Sequence, residues 1–115
     1  MSTSKTQTES TKNIKMLFWS VFAGSKGCLN RVKIVLQLKQ TPLNTNKLSV
    51  QLGLDYKVVE RHLEILEKQN LVERVGYNYG SVYILTTILE SNFNLFNEVS
   101  GKSKNCNENF QMQSS

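Results

Sequence analysis

Residues 44–85 read NTNKLSVQLGLDYKVVERHLEILEKQNLVERVGYNYGSVYIL, and the rest of the chain is best read outward from them. Leu48 and Leu52 lie four apart, one face of a short helix from Thr45 to Leu52 that Asn44 or Thr45 can cap. Gly53 supplies the left-handed residue that stops it, Leu54 follows as a core plug, and Asp55 caps the next helix. That second helix runs from Tyr56 to about Gln69, with Val59, Leu63, Leu66 and Ile65 as its buried seam and Asn70 as a left-handed stop. Leu71–Val75 and Ser81–Leu85 then read as two strands joined by Gly76-Tyr77-Asn78-Tyr79-Gly80.

Two helices across a tight turn, followed by a hairpin with a protruding tip, are the outline of a winged helix-turn-helix. The expected fold class is therefore mainly α with a small β-hairpin, extended by helices at both ends. Upstream, Ile14, Leu17, Phe18, Val21 and Phe22 mark a helix over about Asn13–Ala23, with Met16, Trp19 and Ala23 making its other side apolar too. A second helix is expected from Asn30 as cap to Gln40, ended by Pro42, with Val32, Val35, Leu36, Leu29, Ile34 and Leu38 as its apolar positions. Downstream, one helix is expected over Thr86–Ser100. Helices with two apolar sides exceed what a small core covers, so Leu17, Trp19, Phe22, Leu89, Phe93 and Phe96 are expected to form a dimer interface. Residues 1–12 and 101–115 lack apolar periodicity and read as disordered tails around one domain at 13–100.

The net charge of +5 favours an anionic partner. Its distribution is uneven: residues 1–53 carry eight cations against Glu9, while residues 54–115 carry six cations and eight acids. Cys28 and Cys106 form no metal-binding pair, and reduced thiols are expected. IKMLFWSVFA (14–23) follows lysines as a signal peptide would, but a helix fits it better, and it is too short for a bilayer that needs about 20 residues. One histidine, no Gly-rich phosphate loop and no nucleophile motif argue against an enzyme, a cofactor or a metal.

The residues expected at DNA follow from the fold. On the second motif helix Tyr56, Lys57 and Arg61 point away from the seam near the N-terminal half, where base edges are reached. Asn46 and Lys47 open the preceding helix, where a phosphate is favoured; Arg31, Arg74 and the tip residues Tyr77, Asn78 and Tyr79 complete the expected surface. Glu60 reads as a solvated neighbour of Arg61, and His62 as a hydrogen-bonded structural histidine.

The chain resembles the archaeal branch of the ArsR-like winged-helix regulators. The resemblance rests on Phe22-Ala23-Gly24-Ser25-Lys26-Gly27, Asn30-Arg31-Val32-Lys33-Ile34, Leu52-Gly53-Leu54-Asp55-Tyr56-Lys57-Val58-Val59, His62-Leu63, Leu71-Val72 and Tyr79-Gly80. It implies a cytoplasmic, often dimeric regulator that binds double-stranded DNA, without metal sensing, since the cysteine-rich sensor motif is absent. The chain departs from it at Val58, where threonine is common, and at Glu60, where a basic or polar residue is usual. The rival expectation is a winged helix used as a protein-interaction module; a third is a membrane-peripheral role for IKMLFWSVFA.

Overall fold

Capping and turn chemistry set the frame of the helix-turn-helix in the computed structural model, which describes residues 13–24, 26–76 and 80–101. Helix α3, Thr45–Leu52, opens with Asn44 Oδ1 accepting from the Lys47 N–H at 2.8 Å. It closes at Gly53, whose φ of 66° lies in the left-handed region. Helix α4, Tyr56–Lys68, opens with Asp55 Oδ2 accepting from the Lys57 N–H at 3.2 Å. A Cβ at Gly53 would meet nothing within 4 Å, so Gly53→Ala meets only the backbone strain of an L-residue at positive φ. That substitution is expected to cost about 1–2 kcal/mol in urea unfolding, and Gly53→Asn less.

The chain divides into two compact units, Asn30–Phe93 and a second made by Met1–Leu29 with Asn94–Ser115. In the first, helix α2 (Cys28–Gln40) buries Ile34, Val35 and Leu38, α3 buries Leu48, and α4 buries Val59, His62, Leu63 and Leu66. Strands β1 (Val72–Val75) and β2 (Val82–Leu85) pair antiparallel, Val72 opposite Leu85 and Arg74 opposite Tyr83. Asn70, at φ 63°, turns the chain from α4 into β1 as expected. Its carbonyl accepts from Thr86 Oγ1 at 2.8 Å, which ties the two ends of the hairpin together. A further bridge joins Leu43 to Tyr83, the Tyr83 N–H donating to the Leu43 carbonyl at 2.8 Å, so β2 is held on both edges.

In the second unit, the helix over residues 13–22 (α1) buries Phe18, Val21 and Phe22. Phe22 meets Phe18 edge-on at 5.7 Å between centroids and Phe96 at 4.8 Å. Lys15 lies 3.9 Å from Glu98 on α6 (Phe93–Gly101). Met16 and Trp19 stay outside, 70% and 47% exposed.

Four expectations are corrected. Asn30 does not cap α2, which starts two residues earlier at Cys28, just after Gly27 at φ 81°. Leu36 is exposed rather than in the core. The helix expected over Thr86–Ser100 is two: α5, Thr87–Ser91, and α6. Asn92 breaks it, because its side-chain amide donates to the Ile88 carbonyl at 2.8 Å and its own N–H reaches back only to Leu89. Cys28 is 2% exposed and disulfide-bonded, not a reduced thiol; Cys106 lies outside the described residues.

The expected tails at 1–12 and 101–115, Gly101 apart because it ends α6, and the tip residues Tyr77, Asn78 and Tyr79 also lie outside the described residues. No described helix is long and apolar enough to cross a membrane.

Candidate nucleic-acid interface

Burial of Val59, His62, Leu63 and Leu66 fixes which way the rest of α4 faces. Opposite that seam, Lys57, Arg61, Glu64 and Lys68 recur at i, i+4, i+7 and i+11, a single exposed stripe. Tyr56 and Val58 flank it, 47% and 37% exposed. The stripe carries three cations and one acid, and none of the three cations pairs with a carboxylate among the described residues.

On the hairpin side of α4 lies a polar cleft of about 250 Å³, lined by Asn44 and Asn46 of the α3 end, Tyr56 and Glu60 of α4, and Arg74, Ser81 and Tyr83 of the hairpin. The sheet register explains it: Arg74 and Tyr83 continue the face whose inner pair, Val72 and Leu85, is buried. Glu60 is therefore half-buried beside the hairpin, not on the solvated stripe as expected. Burial first, then the carboxylates of Glu67, Glu60 and Glu64, push the Tyr83 hydroxyl above its usual range, against the opposing pull of Arg74. Tyr83 thus stays a hydrogen-bond donor, a role its place in a strand pattern did not signal. A second groove of about 370 Å³ runs along the C-terminal half of α4 past Arg61, Glu64 and Lys68.

The expected DNA-contacting residues divide sharply. Asn46, Lys47, Tyr56, Lys57, Arg61 and Arg74 are all exposed, on α3, α4 and β1. Arg31 is not available: it is 4% exposed, and its Nη1 donates to His62 Nδ1 at 3.1 Å. It was expected on the DNA-facing surface, but His62 of α4 lies against it instead. His62 is 9% exposed and hydrogen-bonded, as its structural reading required. Other upstream cations are also engaged. Lys39 Nζ pairs with Glu90 Oε1 at 3.0 Å and sits 4.7 Å from the centre of the Phe93 ring, and Lys15 faces Glu98. The cations left facing outward near α4 are Lys47, Lys57, Arg61, Lys68 and Arg74.

The expected dimer contacts divide as well. Phe22, Leu89 and Phe96 are fully buried within the single chain, so they are core and not interface. Leu17 and Phe93 are half-buried, and Trp19 is exposed.

Residues 29–74 match the model of the bacterial arsR regulatory protein family. No curated protein matches the chain significantly. Among solved structures, the PcaV transcriptional regulator from Streptomyces coelicolor in complex with its natural ligand superposes with a TM-score of 0.58 at 14% identity, over 93% of this chain and 77% of that one. RV1404 from Mycobacterium tuberculosis gives 0.55 at 16%, over 81% and 70%. A MarR family protein from Bacillus stearothermophilus gives 0.54 at 18%, over 93% and 75%. The fold is a winged helix-turn-helix. In this winged helix α3 and α4 are the motif pair and β1–β2 the wing, and the arsR match ends inside β1. At 14–18% identity the structural likeness is one of fold.

Proposed function

We propose that this winged helix binds duplex DNA as a homodimer and regulates transcription, as a cytoplasmic member of the archaeal ArsR-like type. The observation that carries the reading is the exposed Lys57–Arg61 pair on the outer side of α4, with Arg74 and the α3 end beside it. In that placement α4 enters the major groove and Lys57 and Arg61 address guanine acceptors, while Asn46, Lys47, Tyr56 and Arg74 hold the backbone. Tyr77, Asn78 and Tyr79 at the wing tip belong to the same proposed surface.

Salt titration of binding to a random-sequence duplex tests it. Five outward cations per chain, ten in the homodimer, set an upper slope of about −9 in log affinity against log salt, and a slope steeper than about −3 supports the reading. No binding at low salt would favour the alternative, a protein-interaction module, for which Glu60, Glu64 and Glu67 along α4 are the specific support.

The homodimer is supported by Met16 and Trp19, whose apolar surface α1 leaves outside. Trp19→Glu is expected to shift the protein toward the 13.1 kDa monomer in sedimentation velocity without changing its circular dichroism. A wild-type chain that already sediments as a monomer at the same concentration would rule the dimer out.

A further inference from the structure

We infer that Arg31 is a positioning residue for α4: from α2 its buried guanidinium holds the His62 ring in one tautomer, and so sets the rotation at which Lys57 and Arg61 are presented. The inference rests on the duplex-binding reading for its consequence but not for its chemistry. Arginine has only donors, so at 3.1 Å His62 Nδ1 must be the acceptor. The ring is then neutral with its proton on Nε2.

This contact is directional in a way the apolar seam of α4 is not. Val59, Leu63 and Leu66 are at most 1% exposed, but apolar side chains tolerate small rotations that a hydrogen bond between two buried groups does not. With side chains reaching roughly 5–6 Å from the helix axis, a rotation of about 20° moves the outer side chains by about 2 Å. A bidentate contact to a base edge does not survive such a shift.

The charges acting on the His62 ring are those of Arg31 across from it and Arg61 beside it, both cationic. Helix α3 packs on α4 with Lys47 as its one charge, and β1 with Glu73 and Arg74; none of these acts on the ring, and α2 otherwise brings Lys33 and Lys39. Protonation would thus turn the acceptor into a donor and set two buried cations against each other. Burial first, then Arg31 and Arg61, hold the ring's pKa below 6.5. With the folded value depressed, the pair is intact above 6.5 and is lost as pH falls through the lowered value.

His62 is the only histidine in the chain, so its titration is read without ambiguity. The test uses the full chain and a duplex that it selects from a random-sequence pool. As pH falls from about 7.5 through the ring's lowered pKa, located by the nitrogen-15 shifts, the wild type's preference for the selected duplex over random duplex should fall about tenfold, the worth of one bidentate contact. His62→Asn places Oδ1 where Nδ1 accepts and does not titrate, so it should rescue discrimination to within a few-fold and show a flat profile. Arg31→Met should lose the preference at both pH values while its circular dichroism stays native. Nitrogen-15 shifts of the ring should place the proton on Nε2.

A proton on Nδ1, coincident profiles for wild type and His62→Asn across the ring's own titration, or full discrimination by a folded Arg31→Met protein would overturn the inference. Absence of any wild-type binding at pH 7.5 would instead sink the duplex reading. The ring shifts, and the pH dependence of thermal unfolding of wild type against His62→Asn, would still decide the pairing.

Discussion

Replacing Lys57 and Arg61 together with alanine is expected to weaken binding to a selected duplex by at least about 2 kcal/mol, roughly thirtyfold, in a gel-shift titration. Both side chains are exposed on the same stripe, four residues apart, and neither holds an ion pair among the described residues that would support the fold. The double variant should therefore melt like the parent. Base contacts and phosphate contacts separate in the same experiment. If the two side chains read bases, discrimination between selected and random duplex collapses. If they hold backbone, affinity drops uniformly and the salt slope flattens by about one unit per lost contact. Unchanged affinity would remove α4 from the interface altogether.

The second large effect is on stability. Phe22→Ala is expected to cost about 3–5 kcal/mol in urea unfolding, the usual range for a buried phenylalanine. Phe22 has no exposed surface and touches two rings edge-on, Phe18 and Phe96, so truncation leaves a cavity whose walls are held by neighbouring aromatics. Concentration dependence discriminates here. A core residue loses the same free energy at every protein concentration, whereas a residue buried between copies loses more as the protein is concentrated. A loss that grows with concentration would return Phe22 to an interface.

Local chemistry made the motif legible. Gly53, Asp55 and Asn70 each act on backbone within a few residues, and the Val59–Leu63–Leu66 seam is a periodicity within a single helix, so their places were readable without knowing what packs on them. The misplacements all depend on distant partners or on side-chain competition. Arg31 looked like a surface cation because nothing in its neighbourhood along the chain reveals that His62, 31 residues away, will lie over it. Glu60 looked solvated because the sheet register that brings Arg74 and Tyr83 beside it is not written in α4. Asn92 carried no glycine or proline signal, and broke a helix through a side-chain hydrogen bond that periodicity does not reveal. On α1, Phe22 and Trp19 were expected to share one role, but Phe22 is buried within the chain and Trp19 is exposed, a difference that two apolar sides of a helix do not reveal by themselves.

The Leu43–Tyr83 bridge has a bearing on how such a protein diversifies. Because β2 is fastened on one edge to β1 and on the other to a residue just ahead of α3, its register has a second anchor outside the hairpin. Sequence change in β2 is thereby constrained from two sides at once, by its partner strand and by the segment that leads into the helix pair.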